Sequence, residues 1–132
     1  MSDCSPLTLS VAFARSGHSR KPHMAPLGRV PRVVRHLALA HEIERRVRAG
    51  ELDDLAHAAR VFGLTRARVT QISNLVLLAP AIQEAILAMP PVTTGRDPIT
   101  ERCLRAIVAE AVWERQMSSW DKLRNCARAE RA

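Results

Sequence analysis

The sequence predicts an all-α helical bundle containing a helix-turn-helix, with a disordered basic arm at its N-terminus. Three observations carry that expectation. Beyond Pro31, apolar residues recur at intervals of three and four, the spacing of one helix face. Glycines and prolines fall at the boundaries of these periodic segments. Hydrophobic residues make up 47% of the chain but aromatics only 3%, with no tyrosine, so the core must be aliphatic and alanine-rich, a composition that favours helix. A chain of 132 residues has room for one compact domain.

Taken in order, residues 1–30 mix Ser, Pro, Gly, His and Arg without helical period and read as a flexible arm. Leu7, Leu9, Val11 and Phe13 alternate with smaller or polar residues, a strand pattern that needs a partner edge. Arg15, Arg20, Lys21 and Arg29 equip the arm to follow phosphates or a minor groove. Residues 31–90 form the expected core. Pro31 starts a helix that runs to Ala49 and stops at Gly50, with Val33, Leu37, Ala40, Ile43 and Val47 on one face. Arg32, Arg35, Arg45 and Arg46 lie opposite or beside that face, available to solvent or to phosphate.

Asp53 or Asp54 begins the next helix, whose apolar run Leu55, Ala58, Ala59 and Phe62 is closed by Gly63. Ala59 is small where two helices approach, Gly63 suits a left-handed turn, and Leu64 plugs the corner. Thr65 caps a following helix over 66–78 with Val69, Ile72, Leu75 and Val76 inward. Helices joined this tightly cross steeply. Pro80 starts a fourth helix with Ile82, Ala85, Ile86 and Met89 on its apolar side. Residues 91–97 form a loop. Asp97 and Pro98 supply the cap and first-turn proline for a C-terminal helical segment, 98–132. Its early stripe, Leu104, Ile107, Val108 and Ala111, is out of phase with its later one, Trp113, Met117 and Trp120, which predicts a kink or break near 111–113 rather than one straight rod. The final ten residues are expected to fray.

The run LAHAARVFGLTRARVTQISN, 55–74, resembles the helix-turn-helix of bacterial and phage regulators, and TRARVTQISNLVLLAPAIQEAIL resembles ParB-type DNA-binding domains over 52–87. A second likeness, spanning about 30–123 and resting on RVTQISNLVLLAPAIQEAIL, ITERCLR and the two tryptophans, is to C-terminal segments of some large serine recombinases and their small accessory proteins. These resemblances imply base contacts from Arg66, Ala67, Thr70, Gln71 and Asn74, the outward positions of the second helix. The side chains suit base reading, since arginine can donate twice to guanine, Gln71 and Asn74 can pair with adenine edges, and Thr70 can touch a thymine methyl. Thr65, Arg68, Arg32, Arg35, Arg45 and Arg46 are the expected phosphate contacts. Arg68 falls nearer the buried edge than Arg66 and can instead snorkel over the bundle.

The charge balance agrees with a polyanionic partner. Lys and Arg number 20 against 13 Asp and Glu, a net +7 that is nearly all arginine. Arginine-rich composition also follows from a GC-rich genome, so charge alone does not decide. Nothing in the sequence indicates catalysis. Cys4, Cys103 and Cys126 are scattered, HEIER lacks the second histidine of a zinc motif, and His36, His41 and His57 form no ligand grouping with the cysteines. Neither a metal nor a cofactor is expected. No Gly-rich phosphate loop or nucleophile elbow is present, and the catalytic domain of the recombinases and the nucleotide-binding segment of ParB proteins are both missing. The apolar run 7–14 is too short to span a bilayer, so the expected setting is cytoplasmic and nucleoid-associated.

The expected partner is double-stranded DNA, bound by a small regulator or an accessory factor of recombination or partition. A single module binds weakly, so a homodimer or a recombinase partner is expected, with Trp113, Met117 and Trp120 as interface candidates. The competing reading is an adaptor that keeps this geometry but docks a protein such as the recombinase.

Overall fold

The computed structural model describes residues 28–131. Among these, six α-helices account for the regular structure: α1 (Arg32–Arg48), α2 (Leu55–Phe62), α3 (Arg66–Ser73), α4 (Pro80–Leu87), α5 (Glu101–Val108) and α6 (Trp113–Ala129). The fold is all-α. The arm residues Arg15, Arg20 and Lys21, and the alternating run 7–13, lie outside the described residues. No single helix among the described residues is long and apolar enough to cross a membrane.

The long helix α1 is the axis of the bundle, because its stripe serves two cores. Val33, Leu37 and Ala40 join Ile72, Leu75, Leu78, Ile82, Ile86, Leu104 and Trp120 in the larger one. One turn further, Ile43 joins Leu52, Ala58, Ala59 and Val69 in a smaller one beneath α2 and α3. Leu39 and Leu64 touch both. Val47, the last expected member of the stripe, stands at the solvent edge because α1 ends one residue later.

Helix α3 is shorter than its apolar pattern suggests. From Asn74 to Leu77 the chain tightens into a 3-10 turn, and Leu78 is extended. The axis turns by 110° between 66–77 and α4. Tightening rotates Leu75 and Leu78 into the core and leaves Leu77 60% exposed. Two glutamines then satisfy the backbone at this corner. Gln116 of α6 accepts from the Ala79 N–H at 2.7 Å and donates to the Leu77 and Glu110 carbonyls at 3.3 and 2.8 Å. Gln83 of α4 donates to the carbonyls of Val76 and Leu78 at 3.0 and 2.8 Å.

The C-terminal segment departs from expectation at its start. Asp97 does not cap the helix after it, since its carboxylate accepts from the Arg32 N–H, in the first turn of α1, at 3.0 Å and pairs with Arg29. Further on, the segment divides into two helices separated by 109–112, where the two apolar stripes change phase. Of the ten residues expected to fray, Leu123 to Ala129 are helical, with Leu123 and Ala127 packed against the larger core.

Arg29, expected in the arm, belongs to the fold. It exchanges two backbone bonds with Val92, 2.9 and 2.8 Å, and its guanidinium also reaches the Gly95 carbonyl at 2.9 Å. The approach requires Gly28, where a Cβ would stand 2.8 Å from the Val92 carbonyl. Burial pushes the Asp97 carboxyl up, but the Arg32 N–H and the Arg29 guanidinium outweigh it and hold the pKa below the usual range. The bond is therefore made to a carboxylate at neutral pH. Asp97→Ala is expected to cost about 1–2 kcal/mol in urea unfolding; an unchanged midpoint would show that the 91–97 loop does not hold the start of α1.

Candidate nucleic-acid interface

The corner between α2 and α3 is built from local bonds. Asp54, extended at φ −160°, accepts from the His57 N–H at 2.7 Å and so caps α2. At the other end Gly63 takes φ 64° and ψ 33°. The Leu64 N–H then reaches the Ala59 carbonyl at 2.9 Å and the Gly63 N–H the Arg60 carbonyl at 3.4 Å, the two bonds of a Schellman closure. Leu64 packs on the Ala59 cluster, as such a closure requires. Thr65 accepts from the Arg68 N–H at 3.1 Å and starts α3. Its hydroxyl is thereby engaged as a cap.

This corner sets the phase of α3. Val69 and Ile72 are buried, so Arg66, Ala67 and Asn74 face solvent, with Thr70 at the margin. Thr70 donates its hydroxyl back to the Arg66 carbonyl at 3.0 Å, leaving its methyl and a lone pair outward. Gln71 differs from the other outward positions. Its amide oxygen accepts from Arg105 of α5 at 3.0 Å and from Arg68 at 3.3 Å, so only the amide nitrogen is left to donate. Between the end of α3 and α5 lies an open cleft of about 430 Å³ lined by Gln71, Asn74, Leu77, Arg105 and Val108.

Glu101 lies under this edge. It is 6% exposed and accepts from Arg105 at 2.8 and 3.1 Å and from Arg68 at 2.9 Å. Arg105 is the larger cause of its lowered carboxyl pKa; burial opposes, and Arg68 adds to the lowering. Arg68 also donates to His36 Nε2 of α1 at 3.3 Å, since a guanidinium can only donate. That fixes the proton of the neutral ring on Nδ1, which is buried without a partner among the described residues. Burial, then the Arg68 charge, lowers the His36 pKa, with Arg35 and Arg32 adding to the effect and Glu101 opposing it. His36 is neutral at pH 7.

The expected phosphate contacts thus divide into two groups. Arg32, Arg35 and Arg68 gather around His36, with Glu101 between Arg68 and Arg105 and the Asp97 carboxylate on the Arg32 N–H. Arg45 and Arg46 lie about 20 Å along α1. There they are engaged by acids: Arg45 with Glu42 at 3.0 Å and Glu51 at 3.2 Å, Arg46 with Glu42 at 2.6 Å. Hydrogen bonds from Arg45 and then Arg46 pull the Glu42 carboxyl down to about 2. Arg46 also lies 5.5 Å over the Phe62 ring. Such exposed pairs contribute little and open readily.

The interface candidates separate as well. Trp120 is 2% exposed and belongs to the core, Met117 is half-buried, and Trp113 is 55% exposed. Sequence reasoning missed Glu101, Arg105, His36 and Gln116. The Glu101 and Arg105 spacing is a readable i, i+4 pair, but the reach of Glu101 to Arg68 has no local signal. Among the described residues no three His, Cys, Asp or Glu converge as metal ligands. No family model, curated protein or solved structure matches the chain.

This geometry makes two outcomes measurable. The space around Gly63 is open, so Gly63→Ala meets only the left-handed backbone penalty and should cost about 1–2 kcal/mol in chemical unfolding; a loss near zero would place the turn elsewhere. Glu101 titrates lower in the folded chain than in the unfolded one, so its contribution is full above the ordinary carboxylate pKa and is lost as pH falls through the folded value. Glu101→Gln should therefore destabilise at neutral pH by about 1–3 kcal/mol and flatten the acid limb of the stability curve. An acid limb of unchanged slope would remove Glu101 as its source.

Proposed function

We propose that the chain is a sequence-reading DNA-binding module, with α3 lying in the major groove. The observation that carries the reading is the α2–α3 corner, closed by Gly63 and capped by Thr65, which turns Arg66, Ala67, Thr70 and Asn74 outward on one face. Arg66 suits a guanine edge or a phosphate, Asn74 an adenine edge, and Thr70 a thymine methyl. Gln71 joins them as a donor unless Arg105 releases its oxygen. Arg32, Arg35 and Arg68 form the basic flank suited to backbone phosphates, which position a module without reading sequence.

The particular role we propose is a small regulator, or an accessory factor of recombination or partition, as the likeness to ParB-type domains and recombinase segments suggests. One module of this size presents a limited surface, so a two-fold dimer or a larger DNA-bound partner would supply the rest of the affinity. A second reading, a protein-docking adaptor, is favoured by one observation. Leu77, Val112 and Trp113 are 60%, 44% and 55% exposed around Gln116, whose side chain and backbone N–H bond the Leu77 and Val112 carbonyls.

The test is binding to fluorescent duplex from the chain's own genomic locus and to random duplex over a salt series. Arg66→Ala and Asn74→Ala should each cost about 1–3 kcal/mol on the locus duplex and little on random DNA. Arg32→Ala and Arg35→Ala should weaken both duplexes and lower the salt slope by about one each. Equal affinity for both duplexes, unmoved by the α3 variants, would reduce the reading to a polyelectrolyte contact. Absence of binding at low salt would favour the adaptor.

A further inference from the structure

On the opposite end of α6 from Gln116, the chain forms an open cleft of about 450 Å³ against α4 and the residues before α5. None of its lining residues belongs to α3, and the inference drawn from it does not depend on the DNA-binding reading. Its floor is apolar: Met89, Pro90, Pro98, Ile99 and the buried Trp120. Its rim is cationic. Arg124, Arg128 and Arg131 succeed one another at four and three residues along α6 and therefore share one helix face.

Two features of these arginines bear on a ligand. The cleft has no acidic residue in its lining. Among the described residues none of the three forms an ion pair, as is also true of Arg32, Arg35, Arg60, Arg66, Arg96 and Arg102, but these three stand together over one concavity. A basic last turn complements the helix dipole and so accounts for charge at Arg128. It does not account for an apolar concavity beneath the charge, nor for Arg124 one turn earlier. Guanidinium groups are planar forks that bind carboxylate or phosphate in two-point fashion and stack on aromatic faces. A concavity of this volume, apolar below with a few convergent polar groups, has the make-up of a small-molecule site.

We propose that this cleft binds a small organic anion, one carboxylate or phosphate group carried on an apolar or aromatic body. The anion meets Arg124 and Arg128, with Arg131 on the same rim, and the body lies on Met89, Pro90 and Pro98, with Ile99 and Trp120 beneath them.

The test uses the full chain carrying Trp113→Phe, so that Trp120 is the remaining tryptophan reporter. Phenyl phosphate and octanoate are titrated by fluorescence and calorimetry, with inorganic phosphate and benzyl alcohol as the charge-only and ring-only controls. Saturable binding of either probe is expected, at least about tenfold tighter than its controls. Arg124→Gln with Arg128→Gln should weaken it by at least about tenfold, the loss of one charge-assisted hydrogen bond, at unchanged melting temperature. Ala88→Phe, which fills the cleft from an exposed position, should block it. Inorganic phosphate binding as tightly as phenyl phosphate would overturn the proposal in favour of a bare anion patch. Failure of both probes to bind, or probe affinity unmoved in the folded arginine variant, would also overturn it. Loss of duplex DNA affinity in that variant without any probe binding would assign these arginines to a DNA surface instead.

Discussion

A carboxylate removed from water must be paired, and the pairing of Glu101 fixes how the two halves of this chain meet. Its two oxygens are met by one arginine from its own helix and one from α3, so α5 is bound to the edge of α3 by a charge that has no other place to go. Removing either arginine would leave the carboxylate under-compensated, which is more costly than never having buried it. The same Arg68 holds His36, and the first helix is drawn into the network. Three helices distant in sequence are thus specified by one acid, while the core beneath them, mainly leucine and isoleucine rather than the alanine the composition suggests, supplies the burial but little directional constraint.

The consequence for α3 is asymmetric. Arg66 and Asn74 on its outward face make no side-chain hydrogen bonds among the described residues. On the α5 side Gln71 is held by two guanidinium groups. An amide reading adenine needs oxygen and nitrogen together, so Gln71 can serve that role only if Arg105 exchanges its amide partner for another acceptor. A phosphate is such an acceptor, and Arg105 is half exposed, so the exchange needs no rearrangement of backbone.

The elements from α1 to α4 were legible because their signals are local. Pro31 and Pro80 mark helix starts, Asp54 and Thr65 cap within three residues, and Gly63 answers to a backbone angle. Asp97 shows where local reasoning stops. An aspartate before a proline reads as a cap for the next helix, yet the N–H it meets is 65 residues earlier. Trp113 and Trp120, seven residues apart, look equivalent on a helical stripe, but α6 begins at Trp113, and the inward phase is set instead by Gln116 and Trp120. Of the phosphate candidates, the sequence could not distinguish Arg45 and Arg46, engaged by Glu42 and Glu51, from Arg32 and Arg35, nor show that Glu101 holds Arg68.

Gln116 explains why the C-terminal helices are part of the same folding unit as the helix-turn-helix. The turn from α3 into α4 exposes backbone groups that neither helix can satisfy, because the 3-10 geometry leaves the Leu77 carbonyl and the Ala79 N–H without helical partners. A buried amide is suited to this position, offering an acceptor and two donors from one rigid plane. An apolar residue of similar size would fill the space but strand those groups, and a carboxylate would lack the donors. The helix that supplies the amide also carries Trp120 into the core and the three arginines to the far cleft, so one rigid 17-residue element spans from the end of the candidate reading helix to the candidate ligand site.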